Sequence, residues 1–396
     1  MRFIDQLDIA GKKLLMRVDF NVPLDGETIT DDNRIKAAVP TLRYALEQGA
    51  AIIVMAHLGK PKGKRVPELS LKPAAKRLGE YLEMEVPLAP DCIGPEVEKM
   101  AAELKPGQVM MLENLRYHAE EQAKTPKERG DFGKQLAALA DIYVNDAFGV
   151  AHRANASVVD VPYAAKECCA GFLLKLEWEY LGEALKNARK PYIAVSGGAK
   201  VSSKLGILNN LIGKVDDFII GGAMANTFLL AQGKTVGKSL VEESLVDTAK
   251  EILEKAAASG TTLHLPVDFV WGTDIETAQG ICDGDNVPDD GMLLDIGPES
   301  TKNFCDVINR SKTIVWNGPM GLFEKPAFAD GSLKLCQAMA DLDDATTIVG
   351  GGDTDAVVHQ AGLEDKFTFI STGGGSFLEF LEGKELPAFK ALKENS

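Results

Sequence analysis

Apolar positions in the first part of this chain gather into short runs, and between those runs they recur at helical spacing. Leu14 to Asp19, Ala50 to Ala56, Val109 to Leu112 and Ile142 to Asp146 are too short for helices, so each predicts a buried strand. The spacing predicts helices over Ile35 to Gln48, Leu71 to Leu82, Pro95 to Leu104 and Pro126 to Ala140. Strand alternating with helix implies a parallel sheet.

The same alternation returns after Pro191. Tyr192 to Val195 reads as a strand that passes through Gly197 and Gly198 into a helix from Leu205 to Ile212, with Ser202 as its expected N-cap. Phe218 to Gly222, Leu293 to Gly297, Thr313 to Gly318, Thr347 to Gly352 and Phe369 to Gly375 also read as strands leaving through glycine. Glycines on one edge let backbone N–H groups and helix starts face a polyanion. Between the halves, Phe172 to Asn187 reads as a single connecting helix with Leu173, Leu176, Tyr180 and Leu181 on one face.

Charge sharpens this picture. The 396 residues are enough for two or three domains, and 58 acidic against 43 basic side chains give a net charge of −15. That balance disfavours nucleic acid and anionic membranes, so a small anion must be held by local basic clusters. Such clusters stand at the strand exits of the first half: Asp19 and Asn21, His57 and Lys60, Asn114 and Arg116, His152 and Arg153, with Arg34 before a helix. Ligands of open parallel sheets bind beyond the carboxyl ends of the strands, and arginine forks suit carboxylate and phosphate; a phosphorylated acid fits both demands. On the glycine edge, Lys200 and Lys204 add point charges. Asp353 is either an N-cap or a Mg2+ ligand, and Glu324 either a solvated charge or an acceptor for ribose hydroxyls.

Several classes drop out. The six cysteines are scattered, with no CxxC and no histidine at zinc-site spacing, so neither a metal framework nor a disulfide scaffold is indicated. The acidic N-terminus and the lack of a run of about 18 apolar residues predict a soluble, cytoplasmic protein. Gly233 to Ser239 is one residue short of GxxxxGK followed by Ser or Thr, and no GxGxxG follows a strand, which argues against a P-loop NTPase and a dehydrogenase. A non-catalytic anion or nucleotide sensor stands as the alternative to an enzyme.

The motifs RVDFNVP (Arg17 to Pro23), HLGKP (His57 to Pro61), LENLRYH (Leu112 to His118), NDAFGVAHR (Asn145 to Arg153), GGAKVSSKL (Gly197 to Leu205), VWNGPMGLFE (Val315 to Glu324), GGGDT (Gly350 to Thr354) and STGGG (Ser371 to Gly375) resemble those of phosphoglycerate kinase, in order and over nearly the whole chain. The resemblance implies an α/β fold of two Rossmann-like domains: a phosphoglycerate domain over 1–170, an interdomain helix over 171–190, a nucleotide domain over 191–370, and a segment 371–396 returning to the first. It implies reversible transfer of the acyl phosphate of 1,3-bisphosphoglycerate to Mg·ADP, giving 3-phosphoglycerate and ATP, in a monomer that closes about a hinge. Asp19, Asn21, Arg34, His57, Lys60, Arg116 and Arg153 are the implied acid site. Lys200, Lys204, Asn317, Glu324, Gly351, Gly352, Asp353 and Thr354 are the implied nucleotide site, with Asp353 on Mg2+ and Arg34, Lys200 and Gly352 in the catalytic role. The family usually carries Arg where Lys60 stands, so here a point charge replaces a planar fork.

Overall fold

The computed structural model describes residues 1–395. They form two compact units: Met1–Glu179 together with the chain from Glu385 onward, and Tyr180–Lys384.

The first unit is built on a five-stranded parallel sheet of β1 (Lys13–Val18), β2 (Ala51–Met55), β3 (Val109–Met111), β4 (Ile142–Asp146) and β5 (Glu167–Ala170), in the order β3-β2-β1-β4-β5. Every residue of β2, β3 and β4 is buried, as expected where helices cover both faces of a sheet. Leu14, Met16, Val18, Ile52, Val54, Met111 and Val144 join Ile35, Leu42 and Leu78 from the flanking helices in one core. β5 is missing from the sequence reading, because Pro162 and the Cys168-Cys169 pair give it no strand signature.

The second unit repeats the plan. β6 (Tyr192–Ser196), β7 (Asp217–Ile220), β8 (Thr262–His264), β12 (Thr313–Asn317), β13 (Thr346–Val349) and β14 (Phe369–Ile370) form a sheet in the order β8-β7-β6-β12-β13-β14. Between them, β9 (Asp268–Gly272), β10 (Gly280–Asp283) and β11 (Met292–Ile296) make a separate antiparallel sheet. The glycine exit at Leu293 to Gly297 therefore belongs to this small sheet, and five exits rather than six line the parallel edge. In both parallel sheets the chain winds to one side and then returns to the other, with the reversal between β1 and β4 and between β6 and β12. Those reversals open the crevices where such sheets take ligands.

Three local expectations are corrected. The helix after Gly198 spans Leu205–Leu211 with Lys204 as N-cap, while Ser202 donates instead to Glu242 at 2.6 Å. The connecting segment is an α-helix over Phe172–Glu177 that widens to π-helix over Trp178–Ala184, and the expected stripe holds only in part: Leu181 is buried, but so is Leu174 outside the stripe, and Leu176 is exposed. Finally, residues 371–384 lie in the second unit. Phe377 is buried there against the bare Cα of Gly350, and Asn210 donates to the Leu381 carbonyl at 2.8 Å.

Candidate functional site: an arginine crater and a glycine-lined edge

In the first unit, loops leaving β1, β2, β3 and β4 bring the expected acid-site residues together. Arg34 donates to Asp19 at 2.9 Å, and Asp19 in turn accepts from the Asn21 N–H at 3.2 Å. Asn21 accepts from the Gly59 N–H at 2.8 Å, and Arg116 donates to the Gly59 carbonyl at 2.7 Å, so the loop carrying His57 and Lys60 is held from two sides. Lys60 itself is exposed, and Arg153 is exposed with its Nε 3.3 Å from His152 Nε2.

His57 is 2% exposed, and its Nδ1 lies 3.1 Å from an Arg17 N–H. Arginine only donates, so Nδ1 must accept and the ring proton sits on Nε2. Burial first, and then the charges of Arg17, Arg116, Arg153 and Arg34, hold the imidazole neutral, well below its ordinary 6.5. All four guanidinium groups thus act on one imidazole. Arg116 feels them too: burial, then Arg153 and Arg17, push it down to about 10. Its Nε and one terminal nitrogen are buried with no hydrogen-bond partner among the described residues.

A second layer, of which the sequence reading singled out only Asn114, holds this crater in place. Arg17 is fully buried and donates to Ser157 Oγ at 2.8 Å; Ser157 donates to the buried carboxylate of Glu121 at 2.6 Å. Burial raises Glu121, with Arg17 the largest opposing influence. Asn114 has no exposed surface: its Oδ1 accepts from Leu58 and Arg116 N–H groups at 3.2 and 3.1 Å, and its Nδ2 donates to the Leu58 and Leu69 carbonyls at 2.7 and 2.9 Å. Arg17 and Asn114 stand inside recognised motifs, whereas Glu121 and Ser157 lie outside all of them, and the part each plays depends on burial.

In the second unit, the exits of β6 and β12 pack backbone against backbone. A Cβ on Gly197 would lie 1.9 Å from the Pro319 carbonyl oxygen, and one on Gly318 would lie 2.3 Å from the Gly197 oxygen, so only glycine allows the approach. Lys204 is buried at this junction and donates to Asn317 Oδ1, while Asn317 Nδ2 donates to the Gly350 carbonyl at 2.5 Å. Burial pushes the Lys204 ammonium down to about 8 against the pull of Asp353 and Glu382. Thr354 accepts from the Gly318 N–H at 2.7 Å and so ties β12 to the helix Gly352–Ala361. That helix begins at Gly351 (φ +102°) with no side-chain cap, leaving its first N–H groups for an anion. Asp353 is exposed in the first turn and is not the N-cap.

Asp353 and Glu324 line a cleft of about 360 Å³ whose other walls include Leu240, Phe269, Met292, Leu293 and Phe323. This apolar wall is the other feature that the sequence reading did not place, since it is drawn from loops and the small sheet. Lys200 stands apart from the buried Lys204 cluster: it is exposed on the turn after Gly198, where its charge reaches Glu242.

A family profile described as phosphoglycerate kinase matches residues 4–384. The chain belongs to the phosphoglycerate kinase family. It is 91% identical over 396 residues to the phosphoglycerate kinase of Maridesulfovibrio salexigens, covering all of both chains. Among solved structures, the phosphoglycerate kinase of Coxiella burnetii matches with a TM-score of 0.91 and 42% identity, over 99% of this chain and 98% of that one. The enzyme from Pyrococcus horikoshii matches with a TM-score of 0.86 and 33% identity over the full length of both. The family reaction, reversible phosphoryl transfer between 1,3-bisphosphoglycerate and ADP, is therefore the chain's chemistry, and the sensor and dehydrogenase readings fall away. No helix among the described residues is long and apolar enough to cross a membrane.

Proposed function

We propose that the family reaction runs here by direct in-line transfer, with the acid on the first unit, the nucleotide on the second, and no covalent intermediate on the protein. The observation that carries this reading is Arg116, whose buried, unpartnered donors sit among like charges. Such a group is costly until an anion pairs with it. A phosphorylated carboxylate supplies that anion, with Asp19 and Asn21 shaping the loops and Arg34, His57 Nε2–H, Lys60 and Arg153 as further donors.

A β-phosphate oxygen of ADP attacks the phosphorus of the acyl phosphate as its bond to the C1 carboxyl oxygen breaks. 3-Phosphoglycerate leaves as a carboxylate, so no proton moves and no general base is needed. The work left to the protein is positioning and charge neutralisation. Arg34, Lys200 and the Gly352 N–H are assigned to the transferring group, Lys204, Asn317, Gly351 and Thr354 to the nucleotide phosphates, and Glu324 to the ribose. Magnesium enters as part of the substrate, Mg·ADP; Asp353, exposed in the same cleft, suits an ion that takes one or two carboxylates plus phosphate oxygens. The apolar wall around Leu240, Phe269 and Met292 suits the base. We assign the protein to the cytoplasm, as a monomer.

The test is a coupled assay of ATP consumption with 3-phosphoglycerate. Lys200→Ala is expected to lower kcat by roughly two to three orders of magnitude with much smaller changes in KM, as for a donor acting mainly in the transition state. A variant with near wild-type kcat would remove Lys200 from that role.

A further inference from the structure

A cluster of mixed ligands lies in the first unit apart from the residues assigned to the acid. Asp91, Cys92 and His118 each offer one ligand atom, and the three atoms lie within 4.8 Å of one another. Asp91 Oδ1 and His118 Nε2 already meet at 2.6 Å. The ring of His118 stacks on buried Phe132 with centroids 4.8 Å apart, which fixes its plane. Cys92 has no exposed surface and directs its thiol at the Glu113 carbonyl, 2.8 Å away.

We propose that Asp91, Cys92 and His118 form a site for a thiophilic divalent cation, Zn2+ being the physiological choice. The donor set decides the class. A thiolate with an imidazole selects zinc-like ions, whereas magnesium asks for oxygen ligands throughout. Three protein ligands leave the fourth tetrahedral position to water. Asp91 supplies it with access, at 41% side-chain exposure, and a hollow of about 560 Å³ lined by Ile93, His118 and Phe132 opens beside the imidazole. Coordination needs the ligand atoms about 3 to 4 Å apart around bonds of roughly 2.0 to 2.3 Å, so only small rotations of Asp91 and His118 are required. On binding, the S–H to carbonyl hydrogen bond of Cys92 is replaced by a sulfur–metal bond and the thiol proton passes to solvent. Burial opposes ionisation of this thiol in the metal-free protein, with Asp91, Glu121 and Glu113 adding to the effect, so the metal drives the deprotonation. Arg65 is 3.6 Å from the other oxygen of Asp91 and donates to the Pro90 carbonyl, while Oδ1 accepts from the Cys92 N–H at 2.7 Å, which aims that oxygen towards His118 and keeps a lone pair for the metal.

The experiment titrates metal-free protein with Co2+ as a spectroscopic probe and then displaces it with Zn2+. The expected result is one equivalent bound, with a thiolate-to-cobalt charge-transfer band that Zn2+ abolishes. Cys92→Ser should lose the band, Asp91→Asn and His118→Asn should weaken binding at least about tenfold, and Cys305→Ser, away from the cluster, should change nothing. Zn2+ at a hundredfold the wild-type Kd should raise the Tm of the wild type and of Cys305→Ser clearly more than that of Asp91→Asn. Should Cys92→Ser fail to fold, the partly exposed Asp91 and His118 variants carry the decision. No saturable binding, or binding indifferent to both, overturns the site.

Discussion

His57 and Arg116 show how burial turns ordinary side chains into instruments. The folded chain refuses a proton on His57 that the unfolded chain accepts below about 6.5, so there the unfolded state binds more protons and stability falls as the pH falls. Above that pH both states are neutral and the contribution vanishes. Replacing His57 by Gln should remove about one proton's slope, about 1.4 kcal/mol per pH unit at most, from the acid limb. Urea unfolding of both proteins from pH 7.5 to 5 measures it, and parallel profiles would show that His57 takes up its proton in the fold. For Arg116, the unpartnered donors predict loss of binding rather than of stability. Arg116→Ala and Arg153→Ala should raise KM for 3-phosphoglycerate about ten- to a hundredfold, the size of a charge-assisted bond, with far smaller effects on KM for ATP. Equal effects on both substrates would contradict the division of the site between the units.

Elements explain which backbone positions tolerate change. Gly351 and Gly352 are neighbours at one helix start, yet a Cβ on Gly351 would sit 2.4 Å from Asn317 Nδ2 at φ +102°, whereas one on Gly352 meets nothing within 4 Å. Gly351→Ala should cost about 1–3 kcal/mol of stability and raise KM for ATP, while Gly352→Ala stays within about 0.5 kcal/mol in stability. Thermal melts of the two variants side by side check the contrast; equal melting points would refute the strain. Strand exits of this kind were legible because a buried parallel strand is an apolar run and its exit carries the chemistry. β5, β8, β9 and β10 were not, and β11 was read as a strand without its separate sheet. β8 has three residues, and β10 is largely exposed, so neither has an apolar run to read.

For the whole molecule, the proposed division of ligands between two units has a physical consequence. Reacting atoms must approach to roughly 3–3.5 Å, and an acyl phosphate must be shielded from water. We predict ligand-driven closure, which would meet both needs. Solution X-ray scattering should show a smaller radius of gyration with both ligands than with either alone. An unchanged radius in the free, binary and ternary states would rule closure out.

Much of this protein is written locally. Apolar runs alternating with amphipathic stretches dictate two parallel α/β sheets, and the residues at strand exits name the chemistry, because the ends of buried strands are where a chain of this class meets its ligands. Three-dimensional packing decided the rest. Arg17, Glu121, Ser157 and Asn114 act through hydrogen bonds that span up to 140 residues of sequence, as from Arg17 to Ser157, and no local pattern encodes such a bond. Phe377 and Asn210 keep residues 371–384 with the second unit because contacts, not chain order, assign a segment to a core. Asp91, Cys92 and His118 violate every zinc spacing in the sequence and still converge, since ligand geometry is a property of loops brought together by a sheet.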